Sequence, residues 1–150
     1  DEVLGKTNRI IPTMLDYFTH IKKDSMFNTP PVFAIYVSML TLEWLKKKGG
    51  LEWIEKINQS KAELIYGEID RNPLFKGSAA IEDRSNMNAT FLLNDNSLEE
   101  IFNNMWQAAG CNGLKGHRSV GGYRASMYNA LPLESVQVLV DVMQELERKA

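Results

Sequence analysis

The stretch from Val32 to Trp44 constrains this chain more than any other part of it. It reads VFAIYVSMLTLEW, apolar almost all the way round a helical wheel. Asn28-Thr29-Pro30-Pro31 precedes it and Lys46-Lys47-Lys48-Gly49-Gly50 follows it. Asparagine and threonine are preferred cap residues, and proline is tolerated in a first turn. Lysines suit the negative end of the helix dipole, and glycine stops a helix. The spacing therefore predicts a helix over 30–48. A helix that is apolar on all sides needs cover on all sides, more than one small neighbour provides. The expectation is that it packs mainly against material outside this chain.

The flanking segments read differently. Residues 1–25 mix short apolar and polar pieces, and Pro12 breaks any helix. They suggest an extended lead-in with one or two short strands. Trp53, Ile54, Ile57, Leu64, Ile65 and Ile69 recur at helical spacing over 51–70, and Asn72-Pro73 ends that run. Residues 87–93 read as a strand. Ser97 with Glu100 forms a capping box for a helix ending near Gly110. Gly110, Gly113, Gly116, Gly121 and Gly122 mark a tightly turning loop. Over 122–129, Tyr123, Ala125 and Met127 alternate with Arg124, Ser126 and Tyr128, the period of a half-buried strand. Val136, Leu139, Val140, Met143 and Leu146 line one face of a helix over 132–149. The order helix–strand–helix–strand–helix gives a small α/β layer domain. In it, the 132–149 helix packs on a sheet containing 87–93 and 122–129.

Charge and composition exclude several classes of function. The 17 basic and 19 acidic residues nearly balance, so nothing points to nucleic acid. Cys111 is the only cysteine, and His20 and His117 are the only histidines, which leaves no disulfide and no zinc site. No apolar run approaches the roughly 20 residues of a membrane helix. The opening residues DEVLGKTNRI lack the apolar core of a signal peptide, and the missing initiator methionine fits a fragment.

Two segments could carry chemistry. The first is Ser25-Met-Phe-Asn-Thr-Pro-Pro31, at a helix start, where free N–H groups attract anions. The prolines remove two of those donors, so an anion would be gripped through Asn28 and Thr29. Spacing alone favours a plain helix cap. The second is Lys115-Gly-His-Arg-Ser-Val-Gly-Gly-Tyr-Arg124. It gathers Lys115, His117, Arg118 and Arg124 around glycines, and arginine offers a planar fork to carboxylate or phosphate. Spacing leaves a two-anion grip and a solvated basic loop equally open. Cys111 reads as a packing residue, His20 as a surface or cap residue, and Trp44, Trp53 and Trp106 as core.

The segments SMFNTPP at 25–31 and GLKGHRSVGGYRASMYNALPLESV at 113–136 closely resemble the phosphoserine aminotransferases. So do LGKTN…P…LDY at 4–17 and KINQSKAELIYGEID at 56–70. The resemblance covers essentially the whole chain. It implies the small C-terminal α/β domain of a fold type I aminotransferase (51–150), plus the last segment of its large domain (1–50). It implies a cytoplasmic homodimer that uses pyridoxal 5'-phosphate (PLP) and has no nucleic-acid or membrane partner. The reaction implied moves an amino group between glutamate and 3-phosphohydroxypyruvate, a phosphorylated 2-oxo acid, in serine biosynthesis. A further substrate in pyridoxine biosynthesis also belongs to that expectation. By the same resemblance Asn28 and Thr29 reach the cofactor phosphate of the neighbouring subunit. His117 and Arg118 bind the substrate phosphate, and Arg124 binds the α-carboxylate. The family's cofactor-bearing lysine matches no lysine here, so no catalytic residue is expected in this chain and it should be inactive alone. Two other readings remain: a relative acting on an unphosphorylated substrate, and a stand-alone anion-binding or assembly module.

Overall fold

The computed structural model describes residues 4–116 and 121–150. The chain divides into two compact units, one ending at Lys47 and one beginning at Lys48.

The first unit holds no strand among its described residues, contrary to the extended lead-in expected from its sequence. A 3-10 turn at Thr13–Leu15 runs into a short helix, α1 (Tyr17–Ile21). Asp16 explains the helix: one carboxylate oxygen accepts from the Phe18 N–H at 3.1 Å, the other from the Thr19 hydroxyl at 3.1 Å. The long apolar helix follows as α2 (Val32–Lys48). Its first backbone bond runs from Ile35 N–H to the Pro31 carbonyl, so Pro31 stands at the cap position. Asn28 and Thr29 do not cap it, a correction to the sequence reading. No residue of α2 is buried: Phe33 is 82% exposed and Leu42 65%. Trp44, expected in a core, is also exposed.

The second unit contains α3 (Gly50–Arg71), β1 (Phe75–Gly77), β2 (Asn88–Leu93), α4 (Glu99–Ala108), β3 (Tyr123–Ser126) and α5 (Leu133–Lys149). The three strands form an antiparallel sheet in the order β1-β2-β3. Phe75 pairs with Leu93, Phe91 with Tyr123 and Ala89 with Ala125, so these side chains share one face. All of them are buried. Ala62, Ile65 and Ile69 of α3, Phe102 and Trp106 of α4, and Val136, Leu139, Val140, Met143 and Leu146 of α5 join them in one core. The rings of Phe75, Phe91, Phe102 and Tyr123 pack at its centre; Phe102 meets Tyr123 edge-on at 4.9 Å and Phe75 at 5.2 Å. The inward phase of Tyr123, Ala125 and Met127 is the one their alternation predicts.

Two details depart from the sequence reading. The capping box of Ser97 and Glu100 does not form. Asp95 takes the cap, accepting from Ser97 N–H at 2.8 Å, and a 3-10 turn (Asn96–Leu98) leads into α4. Strand β1 has no counterpart in the sequence reading, because three residues are too few to show a period.

Candidate functional site

The face of the sheet opposite the core carries the first candidate. Lys76, Leu92, Thr90, Arg124, Asn88 and Ser126 alternate with the core positions and point away from the helices. Arg124 stands across from Thr90 and is exposed. Its guanidinium has no partner among the described residues.

The glycine-rich loop is drawn in beside it. Leu114 is buried and anchors the loop to the core. Its carbonyl accepts from Arg124 N–H at 2.7 Å, Lys115 bridges to Tyr123, and Gly116 N–H donates to the Gly122 carbonyl at 2.8 Å. The chain therefore departs at Gly116 and returns at Gly121 through a base that is tied shut. Gly122 makes that base possible: its φ is 66°, and a Cβ there would stand 2.8 Å from the Phe91 carbonyl oxygen. His117 and Arg118 lie outside the described residues. Beneath the base, burial and then the nearby Glu99 charge push the Tyr123 phenol up to about 12, so it stays neutral, with its hydroxyl donating to Asn103 at 3.3 Å.

The second candidate belongs to the other unit and stands by itself. Asp24 and Ser25 both hold left-handed backbone, with φ of 47° and 64°. Such a pair is costly for residues other than glycine, and it falls at the start of the Ser25–Pro31 segment. The His20 ring meets Phe27 edge-on at 5.9 Å, and its Nε2 lies 2.9 Å from the Met14 carbonyl. Asn28 and Thr29 are both exposed. The Asn28 amide donates to the Met14 sulfur at 3.4 Å, a weak contact, and the Thr29 hydroxyl has no partner among the described residues. Thr29 with an unspent hydroxyl and Asn28 with a donor held only weakly by a sulfur, next to prolines that offer none, could reach a phosphate oxygen.

The remaining candidates carry packing. Cys111 is half-buried beside a mostly apolar cavity of about 380 Å³ lined by Leu114, Ala125, Met127, Leu131 and Leu139. Burial pushes its thiol up, away from nucleophile chemistry. Trp106 is core and Trp53 is half-buried. Among the described residues no group of His, Cys, Asp or Glu is placed to hold a metal ion. No described helix is long and apolar enough to cross a membrane.

Sequence reasoning missed a polar set on α3. Asn58, Lys61 and Glu68 are buried, as is Asn72 just past the helix end. They fall on the same 3.6-residue stripe as Ile54 and Ile65, and that phase was the available signal. Glu68 accepts from Arg71 at 2.7 Å, Asn72 at 2.8 Å and Gln144 at 3.1 Å. Burial pushes its carboxyl up, but those hydrogen bonds and the Arg71 charge outweigh it and hold the group below the usual range.

Comparison with known proteins adds the following. A family model for class-V aminotransferases matches residues 2–139. The chain is 71% identical over 149 residues to a phosphoserine aminotransferase of Flavobacterium psychrophilum, and 55% identical over 150 residues to one of Parabacteroides distasonis. Each alignment covers 99% of this chain and 42% of the relative, so the chain spans about two-fifths of those proteins. Among solved structures it is similar to the phosphoserine aminotransferase of Bacillus circulans subsp. alkalophilus, with a TM-score of 0.88 and 43% identity, covering 99% of this chain and 41% of that one. It is also similar to a PLP-bound phosphoserine aminotransferase of Trichomonas vaginalis, with a TM-score of 0.81 and 39% identity, covering 92% of this chain and 40% of that one.

Proposed function

Because the chain belongs to the class-V aminotransferase family, we propose that it is the C-terminal part of a phosphoserine aminotransferase. The full-length protein would move an amino group between glutamate and 3-phosphohydroxypyruvate, and would work as a cytoplasmic homodimer. In this reading residues 1–50 are the last segment of a large PLP-binding domain, and 51–150 are the linking helix and small domain. The exposed apolar circumference of α2 supports that division, since a helix of this kind needs cover that the described residues of its own unit do not supply. A role in pyridoxine biosynthesis is part of the same proposal.

The single observation that carries the reading is Arg124: a guanidinium exposed and unpartnered among the described residues, on a strand whose register is tied at both neighbours. A planar fork so placed suits a carboxylate, which glutamate and the phosphorylated keto acid share. His117 and Arg118 would grip the second anion, the substrate phosphate. That division of labour matches substrate chemistry: one grip common to both substrates, one needed by only one. Asn28 and Thr29 would hold the cofactor phosphate of the neighbouring subunit. When bound, PLP supplies the electron sink for transamination. The residues of this chain bind and orient; none of them is assigned the proton transfer.

The test uses full-length enzyme and both substrates. Arg124→Lys should raise KM for glutamate and for the phosphorylated substrate alike, since a point-charge ammonium cannot replace a bidentate fork. His117→Ala should raise KM for the phosphorylated substrate far more. Equal losses for His117→Ala on both would remove it as a phosphate ligand.

A further inference from the structure

Lys61 is fully buried, yet among the described residues its ammonium meets no carboxylate. It donates to the carbonyls of Met127 at 3.0 Å, Tyr128 at 2.9 Å and Leu131 at 3.2 Å. An ammonium has three donors, and all are spent on one short piece of backbone. One turn earlier on α3, the Asn58 amide donates to the Asn129 side-chain oxygen at 2.8 Å, while its own oxygen is buried without a partner among the described residues. Two side chains of α3 thus close on the segment 127–131, where the chain leaves β3 and has not yet entered α5. Desolvating a lysine is expensive, and burial pulls its pKa below the usual lysine range. A methionine or leucine would fill the same space at lower cost. The expense calls for something that the segment must hold in place.

That something is the end of β3. The strand is four residues long and lies at the sheet edge. Few bonds fix so short an edge strand. Its start is tied by Arg124 N–H to Leu114, its end by Met127 N–H to the Met87 carbonyl at 2.7 Å, and its exit by Lys61. We propose that Lys61 is a positioning residue for Arg124: by fixing where β3 leaves the sheet, it fixes where the guanidinium stands, so that both arms of the fork meet one carboxylate. Lys61 is buried while Arg124 is exposed, so Lys61 touches no ligand itself. This inference rests on reading Arg124 as the carboxylate grip.

The test is a double-mutant cycle in the full-length enzyme, with glutamate as the probe. Lys61→Met keeps the length and removes the donors and charge. Arg124→Lys alone examines the carboxylate reading; an unchanged glutamate KM there overturns that reading and this proposal together. Given a raised KM for Arg124→Lys, Lys61→Met should raise glutamate KM about ten-fold with kcat within about two-fold, and should add almost nothing in the Arg124→Lys background. A lysine that only stabilises the fold would lower the melting temperature and leave KM alone, or its KM loss would multiply with that of Arg124→Lys. Either result overturns the proposal while leaving the Arg124 reading standing. Where Lys61→Met does not accumulate as folded protein, Asn58→Leu loosens the same segment and carries the same cycle to the same two outcomes.

Discussion

Replacing Gly122 with alanine should cost the small domain about 2–5 kcal/mol, and the same change at Gly121 only about 1–2. Both residues hold left-handed backbone, with φ of 66° and 74°. An L-residue there costs about 1–2 kcal/mol through its Cβ and the following carbonyl. At Gly121 that is the whole cost from the described residues, since none of them lies within 4 Å of the added Cβ. At Gly122 the added Cβ also runs into the Leu92 side chain and stands 2.8 Å from the Phe91 carbonyl oxygen. Leu92 can turn aside, but Phe91 sits in the central strand and cannot, which adds about 1–3 kcal/mol. Gly116 separates the two effects. Its backbone is not left-handed, yet a Cβ there would strike the Gly121 carbonyl. Gly116→Ala should therefore cost about 1–3 kcal/mol by collision alone. Urea unfolding of the chain and its three variants, followed by far-UV circular dichroism with unchanged slope, measures each cost. A Gly121→Ala loss as large as that of Gly122→Ala, or a neutral Gly116→Ala, would refute the reasoning.

Other outcomes follow from the same structure. Glu68 titrates below its unfolded value, so its stabilisation is present above about pH 4.3 and is lost as pH falls through the lower folded value. Glu68→Gln should flatten that acid limb relative to the parent chain in urea midpoints taken from neutral to acid pH; parallel curves would contradict this. The 150-residue chain alone should show no transaminase activity, and titration with PLP followed by borohydride reduction and peptide mapping should find no saturable lysine. One lysine labelled at saturation, with turnover of phosphoserine and 2-oxoglutarate, would overturn the fragment reading. Because α2 leaves Phe33, Ile35, Leu40 and Leu42 in solvent, the chain should self-associate as its concentration rises. Light scattering that reports a clean monomer throughout would count against that.

Periodicity alone determined the long elements of this protein. The apolar run before Lys48, the 3.6-residue stripe of α3 and the inward phase of Val136, Leu139 and Met143 are local properties, carried by neighbours three and four residues apart. The alternation Tyr123, Ala125, Met127 is just as local, and it set which face Arg124 occupies. The motif SMFNTPP and the glycine-rich loop with Arg124 were legible as residues, but not as a site, because spacing does not say what a charge meets. Only the tertiary structure decided the rest. Pro31 stands where Asn28 and Thr29 were expected to cap α2, and Asp95 binds the turn before α4 where Ser97 was expected, since a cap depends on where an N–H points. Strand β1 exists because β2 pairs with it, not through any pattern of its own. Lys61 looks like a misplaced charge on an apolar stripe until the fold delivers carbonyls from 66 to 70 residues further along to its three donors. Hydrophobic phase is written in the chain one turn at a time, whereas the partner of a buried polar group is chosen by topology.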